Sequence, residues 1–226
     1  MHEEHRKRMR QKFLKEGLET FPDHEKLEFL LFNVISRKNT NDVGHRLLDT
    51  FGSFSSVLDA PIDTLMKVDG IGEAAAVMLK LIPEVCRYYL EDKQDYKSKV
   101  VNPKMIGDFF LSKFIGRMNE TVILMLLDSK SKMLYCGVVS EGSVNSADIY
   151  IRKIIEMAMR YNASQAIIAH NHPSGVALPS KQDLTTTSAV SKSLDMVGVR
   201  LIDHVIVADN DYVSLAQSNL GEHLFH

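Results

Sequence analysis

A change of hydrophobic period near the middle of this chain limits what it can fold into more than any other feature. Up to about residue 92, apolar residues recur at three- and four-residue spacing in "KLEFLLFNVIS", "DVGHRLLDTFGSFSSVL" and "PIDTLMKV". That is the period of helices with one buried face. The segment "VDGIGEAAAVMLKLI" comes next, in which Gly70-Ile71-Gly72 opens an Ala-rich helix. A polar stretch, "EDKQDYKSKVVNP" (91–103), reads as a linker. Beyond it a helix near 104–117 leads into "TVILMLLD" and "KMLYCGVVSE", two strand-like runs joined by a Ser-Lys-Ser turn and so expected to form a hairpin. "ADIYIRKIIEMAMRY" is helical, with Ile151, Ile154, Ile155, Ala158 and Met159 on one face and Asn145 or Ser146 as its cap. Strand "QAIIAH", a helix over about 181–196, and strands "RLIDHVIVA" and "YVSLA" complete the chain. The expectation is two domains, a small all-α unit over 1–92 and an α/β (α+β) unit over 103–226 whose sheet is flanked by helices.

The strand "QAIIAH" ends in "HNHPSG". Residues two apart on a strand face the same side, so His170 and His172 can present two imidazoles to one point, and Pro173 stops the strand just beyond them. Ser180 and Asp183 then open the next helix. Taken alone, Ser180-x-x-Asp183 is a capping box, the Ser as N-cap and the carboxylate at the third helical position. Two histidines and an aspartate are also a three-ligand set that leaves one tetrahedral position open, the arrangement of a catalytic zinc rather than a structural one.

The whole string, His170-x-His172-Pro173, six residues, Ser180, two residues, Asp183, matches the JAMM/MPN+ metalloprotease signature at every fixed position. With "AHNHPSG" and the later "LIDHVIV", the region from about 104 to 220 resembles the RadC family, and "VDGIGEAAAVML" is similar to the helix-hairpin-helix element such proteins carry near their N-terminus. The resemblance implies a JAMM/MPN-like fold and one Zn²⁺ per chain bound by His170, His172 and Asp183. It also implies hydrolysis of an amide, peptide or isopeptide bond in a protein or peptide substrate. Ser180 would donate its hydroxyl to the oxyanion. A glutamate before an apolar strand, here Glu120, would act as general base, and Glu141 at the end of the following run is the competing carboxylate. His204 is either a partner of a ligand imidazole or a structural histidine, and of the adjacent Asp203 and His204 at most one is expected to face the site. One departure is plain: RadC-like sequences commonly read H-P-R-E early in the helix before the metal strand, where this chain has Tyr150-Ile151-Arg152-Lys153.

The glycines of the helix-hairpin-helix, Gly70 and Gly72, are candidates for phosphate binding, because they let amides at a helix N-terminus approach a phosphate closely. Glu73 opposes this. So does charge: residues 1–92 carry 13 basic and 16 acidic side chains, and the rest 14 and 13, so neither part has the basic excess that unspecific duplex binding uses. A DNA-associated protein whose metal fold is structural or regulatory is therefore the alternative function. No apolar run approaches the length of a membrane span, the start "MHEEHRKRMRQKF" lacks a secretory core, and Cys86 and Cys136 are too few for a disulfide framework. No membrane partner is expected, and a reducing cytoplasmic setting is.

Overall fold

The computed structural model describes residues 2–36, 39–93, 103–142, 147–173, 175–221 and 224–225. The chain divides into two compact units, Met1–Cys86 and Arg87–His226. The expected caps Asn145 and Ser146, and most of the expected linker, lie outside the described residues.

The first unit is helical: α1 (His2–Glu16), α2 (Asp23–Leu31), α3 (Thr40–Phe51), α4 (Phe54–Asp59), α5 (Ile62–Leu65) and the start of α6 (Glu73–Lys93). Leu27, Leu31, Val43, Leu47, Leu65 and Leu79 are fully buried in one core, the residues that the three- and four-residue spacing marks. Helix α3 is capped by the Asn39 side chain, which accepts from Asn41 N, and α4 by Ser53, which accepts from Ser56 N. Gly70 has φ +97°, and a Cβ there would meet Val43 Cγ2 at 2.7 Å. Arg46 braces the same turn, donating from Nε to Asp69 O at 3.1 Å. Gly72 differs: its φ is not positive and a Cβ would meet nothing within 4 Å.

Helix α6 runs through Pro83 and on to Lys93, so residues 91–93 are helical and not linker. The physical reason lies in the second unit, where Lys113 pairs with Glu91 at 2.9 Å and Arg87 donates to Ile115 O at 2.8 Å. These contacts hold a segment that its polar composition alone would leave unstructured.

The second unit adds α7 (Pro103–Phe114), β1 (Thr121–Leu127), β2 (Met133–Glu141), α8 (Ala147–Arg160), β3 (Gln165–Asn171), α9 (Lys181–Asp195), β4 (Arg200–Ala208) and β5 (Asp211–Ser214). The sheet order is β2-β1-β3-β4-β5. Of these strands only β3 and β4 pair in parallel, and α9 is their crossover. Leu124, Leu126, Ala166, Ile168 and Leu201 pack with α8 and α9 on one face, while Ile123, Met125, Leu127, Ile167 and Ala169 pack with α7 on the other. Helices on both faces explain why β1 and β3 read as continuous apolar runs rather than as alternations. The hairpin turn is fixed by Asp128, whose carboxylate accepts from Lys130 N and Lys132 N.

Two irregularities in register decide which side chains reach the end of the sheet where the histidines lie. Val122 pairs with Ser140 but Ile123 with Val138, so Val139 is an extra residue in β2. Lys153 donates to the Val139 carbonyl at 3.1 Å, which gives the unexpected lysine of α8 a place. In β4, Ala166 pairs with Leu201 but Ile167 with Asp203, so Ile202 is extra there. Each extra residue reverses which face the following side chains meet.

The contrast between the two glycines is testable. Gly70→Ala is expected to lower the unfolding free energy by about 1–3 kcal/mol, because it adds both strain and a clash. Gly72→Ser should change it by less than about 1 kcal/mol, since serine suits the N-cap of α6. Urea unfolding of the full chain separates the two, and equal losses would show that both glycines are required by the fold.

Candidate metal centre

His170 is the sixth residue of β3, and His172 comes directly after the strand, its N donating to Val207 O of β4 at 2.8 Å. Asp183 sits in the first turn of α9, the crossover that returns over the same end of the sheet. One ligand atom from each of these three residues lies within 4.8 Å of the others, the only such His/Cys/Asp/Glu group among the described residues. His170 Nε2 is 2.9 Å from His172 Nε2 and 3.2 Å from Asp183 Oδ1, and His172 Nε2 is 3.5 Å from Asp183 Oδ2. His170 is buried, whereas the His172 side chain keeps 23% of its surface open to solvent, so a small molecule has a way in.

The capping box and the ligand set coexist. Ser180 Oγ accepts from Asp183 N at 3.1 Å, and Ser180 donates to Asp183 Oδ2 from its hydroxyl at 2.6 Å and its amide at 2.7 Å. The cap thus aims the carboxylate while leaving Oδ1 toward His170. In this geometry the Ser180 proton is directed at Asp183, so oxyanion donation requires the hydroxyl to turn. Burial alone would raise the Asp183 carboxyl; hydrogen bonds from His170 and Ser180, with the charge of His170, outweigh it and hold the group well below the usual carboxylate range.

The partners of the imidazoles assign their protons. Thr187 Oγ donates to the Asp183 carbonyl at 2.6 Å, so it can only accept from His204 Nδ1, also at 2.6 Å. Burial, with the adjacent His170, pushes His204 well below its ordinary range and keeps it neutral. Its Nε2 therefore accepts from His170 Nδ1 at 2.8 Å. His172 Nδ1 donates to Val176 O at 3.1 Å. The two Nε2 atoms thus face one another with the Asp183 carboxylate beside them. Imidazole nitrogen with carboxylate oxygen is a donor set that suits zinc.

Of the neighbouring pair, His204 faces the centre. Asp203 faces the other side, where it accepts from Ser214 Oγ and Ala216 N, and burial raises its carboxyl. The two candidate bases also separate. Val122 pairs with His170, and the exposed Glu120, two residues earlier and just outside β1, shares the Val122 side by strand alternation, the histidine face. Glu141 pairs with Thr121 because of the extra Val139, and so falls on the α7 face, where Arg117 lies 3.8 Å away. Gly70 and Gly72 belong to the other unit.

Residues 100–220 match the family described as the RadC-like JAB domain, and residues 2–77 match the UPF0758 N-terminal region. The chain belongs to the RadC-like JAB domain family. A UPF0758 protein of Idiomarina loihiensis is 34% identical over 213 residues, covering 94% of this chain and 95% of its own. A UPF0758 protein of Pseudomonas fluorescens is 31% identical over 210 residues, covering 93% and 94%. Family membership agrees with the mixed sheet and the JAMM-like fold. No helix among the described residues is long and apolar enough to cross a membrane.

Thr187 and Asn171 do not stand out in the sequence, although each leaves a trace: Thr187 lies one helical turn beyond Asp183, and Asn171 is a polar residue buried in an apolar strand. The outer hydrogen bonds predict that nitrogen NMR of the metal-free protein shows a proton on Nδ1 of His170, His172 and His204. Thr187→Val should loosen that preference at His170 and His204. A His170 ring with no proton on Nδ1 in the unaltered protein would refute the assignment.

Proposed function

We propose that this chain is a zinc-dependent hydrolase that cleaves an amide, peptide or isopeptide bond in a protein or peptide. The observation that supports this most is the convergence of two imidazole nitrogens and a carboxylate, each held by partners outside the centre. His170, His172 and Asp183 hold the ion, one per chain. Bound zinc supplies a water with a labile proton near pH 7 and an electrophile for the scissile carbonyl. Glu120 takes the proton from the attacking water and delivers it to the leaving amine. Ser180, turning from Asp183, donates to the oxygen on which negative charge develops. His204 and Thr187 keep His170 in the tautomer that offers Nε2 to the ion. Glu120 is favoured over Glu141 because, of the two, it alone shares the histidine face.

Elemental analysis of the purified full chain is expected to give about one zinc, lost on His172→Ala or Asp183→Ala. Thr187→Val should weaken zinc about 10–100-fold in competition with a chelator. Glu120→Gln should keep the zinc and reduce peptidase activity roughly 10²–10⁴-fold, with Glu141→Gln close to normal. A chain that takes up no transition metal, even when zinc is added, overturns the proposal; the reverse order of the two glutamines overturns only the choice of base.

A second reading, that the protein associates with DNA, is supported by Gly72, whose missing side chain packing does not explain. In that reading the open space before α6 admits a phosphate to the helix amides. Affinity of the full chain for duplex DNA would then be independent of sequence and fall steeply with salt. Glu73→Lys should tighten it and Gly72→Val abolish it. If Glu73→Lys gains no more than a lysine placed elsewhere, Gly70-Ile71-Gly72 is only a structural corner.

A further inference from the structure

We infer that Asn171, the residue between the two ligand histidines, is a positioning residue that sets where Glu120 stands over the metal centre. The inference rests on the hydrolase reading above and concerns a residue that the ligand signature leaves unspecified.

Asn171 is 5% exposed and points to the face opposite His170 and His172. Both polar atoms of its carboxamide are engaged. Oδ1 accepts from Thr121 N at 2.8 Å, and Nδ2 donates to Asn119 O and to Arg117 O, each at 3.1 Å. Two of these partners belong to the two peptide groups on either side of Glu120. The Asn119 carbonyl is part of the peptide that enters Glu120, and the Thr121 N–H part of the peptide that leaves it. The remaining backbone acceptor, Glu120 O, receives Gly142 N at 2.8 Å from the end of β2. The backbone of Glu120 is thus gripped on both sides while its side chain stands exposed.

The grip comes from within the ligand segment itself. One strand end projects His170 and His172 to one face and Asn171 to the other. Any shift of the strand therefore carries the ligands and the base together. This answers a physical need: a general base works only within hydrogen-bond reach of the proton it removes, and small misplacements cost rate steeply. A strand-leading glutamate on an exposed loop would otherwise wander. An amide suits the task, because it offers donors to Arg117 O and to Asn119 O, the latter shared with Thr121 Oγ1 at 3.0 Å, and an acceptor to Thr121 N. Aspartate lacks the donors, and leucine, though similar in shape, lacks everything.

The test uses the full chain loaded with cobalt(II), whose visible absorption responds to ionisable groups beside the ion. The pH midpoint of that absorption is followed in the unaltered chain, in Glu120→Gln, in Asn171→Leu, in Asn171→Ala and in the combined Glu120→Gln/Asn171→Leu. Asn171→Ala adds no bulk and stands in if the leucine variant does not fold. Leu194→Ala, at a buried position of α9, controls for plain loss of stability. The expected result is cobalt uptake by all, a midpoint shifted by Glu120→Gln, a shift of the same sign from either Asn171 variant, and no further shift when the two are combined. Leu194→Ala should leave the midpoint in place. If Glu120→Gln moves the midpoint and the Asn171 variants do not, or if Asn171→Leu adds the same shift in the Glu120→Gln background, Asn171 does not act through Glu120 and the inference falls alone. A midpoint insensitive to Glu120→Gln removes Glu120 from the centre and this inference with it. A chain that takes up no cobalt overturns the zinc reading itself.

Discussion

Two imidazole nitrogens 2.9 Å apart, with a carboxylate beside them, are an arrangement that a protein does not reach by packing alone. It exists here because the opposite side of each ring is committed. His170 is tied through His204 and Thr187 to the backbone of α9, and His172 to the carbonyl of its own loop. Much of the second unit serves that commitment. The parallel β3–β4 pair brings His204 beside His170, and the crossover helix returns Thr187 and Asp183 to the same end of the sheet. The protons on the outer nitrogens thus point away from the space that His170, His172 and Asp183 share.

The same economy governs the start of α9. Ser180 and Asp183 satisfy the exposed amides of a helix terminus, as such pairs do in many proteins, and the bond that caps the helix also orients the ligand carboxylate. Capping and a place in the His170–His172–Asp183 cluster are not rival explanations of these residues; one supplies the geometry of the other. Asn171 plays a comparable part on the far face, where satisfying three backbone groups also holds the chain on either side of Glu120.

Much of the architecture was legible in the sequence because period and burial agree. The four-residue spacing of Leu27 and Leu31, and of Val43 and Leu47, leaves little freedom to anything but a helical unit, and the unbroken apolar runs of β1 and β3 little to anything but a sheet between helices. His170, His172 and Asp183 were legible because strand alternation and helix-start chemistry set their directions over short spans of chain. What stayed hidden depended on long-range contacts. Helix α6 outlasts its own apolar stripe because Lys113 and Ile115 hold its end. Thr187 acquires meaning only through His204 on another element. The choice between Glu120 and Glu141 depends on Val139, a valine in a strand of apolar residues, with no local sign that it is supernumerary.

The same holds in β4. From Ile202 onward the strand counts its residues in twos, and the extra residue changes the count once, so that histidine rather than aspartate meets His170. Deleting Ile202 would take out the bulge and leave Leu201 opposite Ala166, Asp203 opposite Ile167 and His204 opposite Ile168, now in regular alternation. Histidine would still meet His170, and the loss would fall on the other face, where Ile202 packs. The strand therefore carries one residue of slack at this point, and a change of length by one there alters the packing against α7 before it moves the centre.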